Sequence, residues 1–211
     1  MAPRPSLLAF FERSPALVAP ELLGWTLRHG KVAVRIVETE AYLGEADPAS
    51  HAFAGPSNRN RSMFGPPGCC YIYLSYGMHL CLNVVCHEAG QAGGVLIRAG
   101  DVISGHALAA ERRGRPSDLA NGPGRLGQAL GLRLDLDGTF LLPDSLRAHA
   151  QAAPGPLELE PAEEPVGRIV KGPRVGISKA TELPLRFWLE GSRHVSPGRP
   201  GPARPKKERR R

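Results

Sequence analysis

The sequence predicts an α+β fold, rich in β-strands and organised as a single domain, in which antiparallel hairpins carry the core and short helices and loops surround them. Three observations lead there. A chain of 211 residues is long enough to bury one substantial core and short for two. Gly 25 and Pro 21 together exceed a fifth of the chain while the hydrophobic share of 42% is ordinary, so elements must be short and loops many. Period-two alternation interrupted by glycine occurs in "WTLRHGKVAVRIVETEAY" and again in "CCYIYLSYGMHLCLNVV", the pattern of strands joined by tight turns.

In chain order, Ser14-Pro15 ahead of "ALVAPELLG" marks a helix start, with Gly24 as its stop and Pro20 interrupting its middle. Two strands then meet at His29-Gly30, the second containing "RIVETEAYLG". Residues 44–68 form a long polar loop, and a loop of that length in a compact domain is either functional or disordered. His51, Phe53, Met63 and Phe64 favour order. In the following hairpin Tyr71, Tyr73 and Ser75 alternate with Ile72, Leu74 and Tyr76, and Tyr76-Gly77-Met78 falls at the tip. "GGVLIRAG" is a further strand ending near Arg98. "VISGHALAAERRGR" suggests a helix closed by Gly114, and "NGPGRLGQALGL" a glycine-rich turn opening a short helix. The free N–H groups of that second helix, with Arg125 beside them, suit a phosphate. "PGPLELEPAEEP" surrounds an edge strand, and "PRVGISKATELPLRFWLEG" supplies a last pair of strands.

The net charge of +7 is concentrated in the final residues, "SPGRPGPARPKKERRR", which supply +6. The division expected is therefore a folded domain over residues 1–196 and a basic, disordered tail over 197–211, available for loose contact with phosphates. Cys69, Cys70, Cys81 and Cys86 contain no C-x-x-C pair and read as reduced, buried thiols. His79, Cys81, Cys86 and His87 fit no common zinc spacing, so no metal and no cofactor is expected. Nothing approaches a membrane-spanning length, and a cytoplasmic protein is expected.

Chemistry concentrates on "RIVETEAYLG", residues 35–44, where Glu38, Glu40 and Tyr42 share one face of an extended chain. Two carboxylates about 6.5 Å apart approach the spacing of a sugar hydrolase. Their side chains nevertheless run parallel from one surface and cannot flank a bond from both sides unless a bulge intervenes. One carboxylate acting alone as base remains, which suffices for a leaving group that already carries positive charge. All four tyrosines, Tyr42, Tyr71, Tyr73 and Tyr76, lie with His51 in one short part of the chain. Clustered tyrosines serve either as core or as stacking surfaces. Tyr76 and Met78 at an exposed turn need a cover from outside the domain, as residues that wedge into a base stack do. The adjacent "NRNRS" offers Arg59 and Arg61 to phosphates.

These stretches, with "NRNRSMF", Asn83, "VLIRA", "NGPGRLGQALG" and "RVGISKATELPLRFW" in this order, resemble the alkyladenine, or 3-methyladenine, DNA glycosylase family from about residue 10 to residue 196. The resemblance implies a curved antiparallel sheet, an open Greek-key barrel like the C-terminal domain of formyltransferases. It also implies base-excision repair without a cofactor by a monomer acting on duplex DNA that contains damaged purines. By the same resemblance Glu40 is the general base, and Arg98 and the carbonyl of Val175 help hold the attacking water. Tyr42 stacks on one face of the flipped base and His51 and Tyr73 on the other, while Asn83 discourages normal guanine. Tyr76 is the wedge, with Met78 beside it, and Asn58, Arg59, Arg61, Met63 and Arg125 follow the DNA. His79 and Cys69-Cys70 depart from the residues usual in that family. The alternative reading is a non-catalytic nucleic-acid-binding module of the same fold.

Overall fold

A computed structural model describes residues 7–141 and 156–198. Two short helices, α1 (Leu7–Phe11) and α2 (Pro15–Glu21), precede strands β1 (Thr26–His29) and β2 (Val32–Tyr42). The long loop follows, with single 3-10 turns at Gly44–Ala46 and Arg61–Phe64, and then β3 (Cys70–Ser75), β4 (His79–Val85) and β5 (Gly94–Ser104). Helices α3 (His106–Arg113) and α4 (Pro123–Leu130) lead to β6 (Leu157–Glu160), β7 (Ile169–Gly172) and β8 (Arg186–Leu189). The strands form one curled antiparallel sheet in the order β3-β4-β5-β2-β1-β6, with β8 pairing β2 beyond β1 and β7 pairing β8. The expectation of a β-rich α+β domain with a curved antiparallel sheet holds.

Strand β2 is the axis of the molecule. Its 11 residues are buried on both faces apart from Arg35 and the half-buried Tyr42, because β5 flanks one edge and β1 and then β8 the other. One face is closed by α2, where the Thr39 hydroxyl donates to the Ala19 carbonyl at 2.8 Å. The apolar core gathers Phe11, Leu22, Leu27, Ile36, Ile97, Leu126, Leu130 and Phe140, all without exposed surface, each such side chain contributing about 1.5–3 kcal/mol. Helix α4 lies close on β4 because Gly127 has no side chain: a Cβ there would stand 2.1 Å from the Leu80 carbonyl oxygen. This contact carries the start of α4 to the turn end of the β3–β4 hairpin, where a Cβ on Gly124 would stand 2.7 Å from the His79 ring.

Several local expectations need correction. Strand β5 does not stop near Arg98 but runs through "VIS" to Ser104, and α3 begins only at His106. Gly100 lies inside this strand. A Cβ on it would come within 2.2 Å of Val34 and 2.7 Å of the Arg35 carbonyl, so it serves the close approach of β2 and β5 where the sheet curls. The last strand pair draws its first member from "IVKG", upstream of the segment expected to hold both, and "PRVGISKATELP" is loop. The Ser14 side chain makes no capping bond, Pro15 at the first turn being the start signal. "LLAFF" forms α1, a helix the periodicity left unassigned. The hairpins at His29-Gly30 and Tyr76-Gly77, the Gly114 stop and the β6 edge strand stand as read. The tail from residue 199 onward lies outside the described residues.

Candidate active site

The pairing of β2 with β5 slips twice around Glu38: Ile36 faces Gly100, Glu38 faces Ala99 and Thr39 faces Ile97. Val37 is thereby the extra residue on β2 and Arg98 the extra residue on β5, the arrangement by which a bulge re-aims a side chain. Arg98 then reaches both carboxylates of the neighbouring strand. Its Nε lies 3.0 Å from Glu38 Oε1 and its Nη1 3.3 Å from Glu40 Oε2. Glu40 also accepts the Val175 N–H on Oε1 at 2.7 Å and the Tyr42 hydroxyl on Oε2 at 3.0 Å. Both glutamates have no exposed surface. Burial raises the Glu40 carboxyl above its ordinary value; Arg98, the Val175 N–H and the Tyr42 hydroxyl pull it back, and Glu38 pushes it up again.

Above Glu40 opens a cleft of ≈ 950 Å³ whose lining includes its partners Tyr42, Arg98 and Val175. The Tyr42 ring is fixed from behind by Arg174, whose guanidinium carbon stands 4.7 Å from the ring centroid. Arg174 donates to the Ala41 carbonyl at 2.9 Å and forms a two-pronged pair with Asp47, one prong at 2.9 Å, both side chains fully buried. Burial would raise the Asp47 carboxyl, but Arg174 and the N–H groups of Ala49 and Leu43 outweigh it and leave it below its usual value. The lining also includes His51, whose Nδ1 meets the Tyr71 hydroxyl at 2.9 Å and whose ring stands edge-on to Tyr73 at 4.6 Å. Burial first and then Arg59 depress the His51 pKa, keeping the imidazole neutral. Tyr71 and Tyr73 stack at 5.4 Å. Asn83, buried at the back, donates to the Tyr71 carbonyl at 3.1 Å, which fixes its amide.

The rim is made differently. Tyr76 and Met78 are 85% and 73% exposed at the hairpin tip, where the Met78 N–H donates to the Ser75 carbonyl at 3.1 Å. Tyr76 adopts φ 49, a left-handed conformation costing a non-glycine residue about 1–2 kcal/mol. Asn58 and Arg59 are exposed and line the cleft mouth, and Arg61 is tied to Asn58 at 3.3 Å. Arg125, in the first turn of α4, is held by Asn121 at 2.7 Å, and the preceding Pro123 lines the cleft. Met63 is only 2% exposed and packs in the core at the cleft wall, so it is not an outward contact. The four cysteines are free and buried, with burial pushing the Cys69 thiol up to about 12. Among the described residues no three His, Cys, Asp or Glu converge as metal ligands, and no helix is long and apolar enough to cross a membrane.

Residues 9–193 match the sequence model of the family described as Methylpurine-DNA glycosylase (MPG). The chain belongs to this family. It is accordingly a DNA glycosylase, a hydrolase of DNA repair that binds DNA as substrate. Curated relatives bear names that include "3-methyladenine DNA glycosylase": one from Frankia casuarinae is 50% identical over 96% of either chain. One from Corynebacterium jeikeium is 50% identical over 88% of this chain and 89% of its own. One from Methanoculleus marisnigri is 48% identical over 89% of this chain and 96% of its own.

In this member of the methylpurine-DNA glycosylase family, Arg98, Val175, Tyr42, His51, Tyr73 and Asn83 line one cleft, and Glu40 lies behind them, bonded to Arg98, Val175 and Tyr42. Val175 is placed by its N–H on Glu40. Glu38 does not line the cleft as a second catalytic carboxylate; three hydrogen bonds and an ion pair to Arg98 hold it in the interior. Sequence reasoning did not find Arg174 and Asp47, or Asn60, whose amide donates to the carbonyls of His51 at 2.8 Å and Gly55 at 3.1 Å and so shapes the loop. Only Asn60 carried a local sign, sitting beside Arg59 and Arg61 in "NRNRS".

Proposed function

We propose that this glycosylase releases alkylated purines, 3-methyladenine and 7-methylguanine first, from nucleotides flipped out of duplex DNA, by attack of a water that Glu40 deprotonates. The carrying observation is the seating of Glu40. Its four lone-pair sites receive three donors, and the free one is on Oε1, the oxygen held by Val175 at the cleft floor. A water bound there would give its proton to Glu40 and its oxygen to the sugar carbon as the glycosidic bond breaks. A purine methylated on its ring nitrogen leaves neutral with the bonding pair, needing no acid. Glu40 has no exposed surface, so water would reach Oε1 only as the loop bearing Val175 yields to the arriving nucleotide.

The cleft walls support a flat, electron-poor guest. Tyr42, His51 and Tyr73 all line the cleft, and rings of this kind attract a cationic purine by about 0.5–2 kcal/mol. Tyr76 would fill the space left in the duplex and offset part of the few kcal/mol that flipping costs. Hypoxanthine and ethenoadenine are also candidates, held by shape without that charge term. Asn58, Arg59, Arg61 and Arg125 would track the backbone, the basic tail would add loose phosphate contact, and the enzyme would act as a monomer.

The test is base release from duplexes carrying each of these lesions, with wild type and Glu40→Gln. A general base is worth about 10²–10⁴-fold, so Glu40→Gln should lose at least that much release while still binding damaged duplex. Undiminished release would sink the assignment. Because the Glu40 carboxyl is raised and only its ionised form is a base, the acid limb of the rate should lie above the ordinary carboxylate range. The stability sign is opposite: a raised carboxyl favours the fold at low pH and loses that contribution as pH climbs through its folded value.

A further inference from the structure

Glu38 accepts three hydrogen bonds and forms an ion pair with Arg98, its partners coming from three parts of the chain. Arg98 of β5 lies at 3.0 Å, Arg186 of β8 donates at 2.6 Å, and Ser196 donates its N–H at 2.6 Å and its hydroxyl at 2.9 Å. Ser196 in turn accepts from Arg98 Nε at 3.0 Å, and Arg186 Nη2 lies 3.5 Å from the Ser196 carbonyl. A buried ion pair is not by default a stabilising device, since apolar residues of the same volume often serve stability as well or better. What this cluster does is hold one guanidinium. Arg98 is the extra residue of its strand, without a cross-strand neighbour to fix its direction, and its far end is the contact to Glu40.

We propose that Glu38 is a positioning residue: clamped by Arg186 and Ser196, it holds Arg98 in the one orientation that addresses Glu40 and shares that arginine's charge with it. The inference rests on the reading of Glu40 as the base. Ser196 belongs to the device although it lies beyond residues 9–193, the extent of the family match. The groups that bear on Glu40 are Glu38 and Tyr42 on β2, Arg98 on β5, Tyr73 on β3, Arg174 before β8 and Arg186 opposite it on β8. Of these, Glu38 and Arg98 act as one unit. Neutralising Glu38 removes a like charge beside Glu40 and leaves Arg98 to Glu40 alone, so Glu40 stays ionised to lower pH, while the looser guanidinium aims the base less well.

The experiment is single-turnover base release by the full chain from a duplex with one 7-methylguanine, measured from acid to neutral pH for wild type, Glu38→Gln, Ser196→Ala and Glu40→Gln. Glu38→Gln is expected to lower the plateau rate by roughly 10- to 100-fold, the scale of a misplaced catalytic group, and to move the acid limb to lower pH. Ser196→Ala, which keeps both charges and the main-chain clamp, should lower the plateau less and leave the limb near wild type. It also serves as the readable variant if Glu38→Gln does not fold. A folded Glu38→Gln whose limb does not move overturns the inference even if its rate falls, since loss of structure alone gives a slower enzyme with the same profile. Ser196→Ala at the full wild-type rate overturns the clamp. If Glu40→Gln retains release, the reading of the base fails instead, and the two failures are told apart.

Discussion

At the floor of the cleft Glu38, Glu40, Asp47, Arg98 and Arg174 are all buried, whereas at its rim Tyr76 and Met78 stand 85% and 73% exposed. The two regions are built on opposite terms. The floor buries charge, which is costly, and meets that cost by giving each carboxylate several donors, at least one of them from far along the chain. The rim leaves apolar surface in water and holds Tyr76 at φ 49. A floor assembled in advance needs no reorganisation when charge moves in the reaction. A rim left unsatisfied gains only when another surface covers it. Removing a floor contact should therefore be felt in the isolated protein, and removing a rim contact only in the complex.

The largest effect is expected at the floor. Arg174 and Asp47 are fully buried partners joining β2, the loop start and the segment bearing Val175, so Asp47→Ala strands a cation in the interior. Breaking such a pair from one side costs about 3–5 kcal/mol, which urea unfolding would read directly. Release should fall as well, because Arg174 backs the Tyr42 ring. An unchanged unfolding midpoint would mean that the floor is less interdependent than its geometry says. At acid pH the difference should shrink: the lowered Asp47 carboxyl contributes stability above its ordinary value and loses it as pH falls through its folded one.

Tyr76 is the complementary case. Tyr76→Ala should weaken binding to a damaged duplex by about 1–3 kcal/mol, fivefold to a hundredfold, if the ring stacks on bases. Unfolding should change by no more than about 0.5 kcal/mol, as for other exposed sites. Tyr76→Gly should make the protein itself slightly more stable, by up to about 1 kcal/mol, by relieving the left-handed backbone, and still bind poorly. A large stability loss in either variant would erase the contrast between rim and floor.

The same contrast governs what could be read from the chain. Glu40 with Tyr42, and the Tyr76-Gly77-Met78 tip, are local patterns whose strand spacing and turn residues carry the information within a few positions. The floor is not local. Glu38 and Ser196 are separated by 158 residues and Asp47 and Arg174 by 127, so no window of sequence contains either pair. Arg98 and Val175 were legible only through family resemblance, because a bulge and a loop amide leave no compositional mark. The continuation of β5 past Arg98 was hidden for a related reason: the close approach that Gly100 serves depends on Val34 across the sheet.

Arg59 tests the boundary of the two regions, with the smallest expected effect. It is exposed at the cleft mouth, and its charge helps depress the pKa of His51 in the cleft lining. As a phosphate contact it should account for about 0.9 of the salt slope, so Arg59→Ala should flatten log K against log salt by about one unit on damaged and undamaged duplex alike. As a neighbour of His51 it does something further. Without it His51 takes up a proton more readily, and a protonated imidazole against the base site repels a cationic methylpurine but not a neutral hypoxanthine. In Arg59→Ala, binding of a 7-methylguanine duplex should therefore weaken on lowering the pH towards the His51 pKa, while a hypoxanthine duplex keeps its affinity apart from the common salt term. Equal pH dependence for the two lesions would confine Arg59 to the rim.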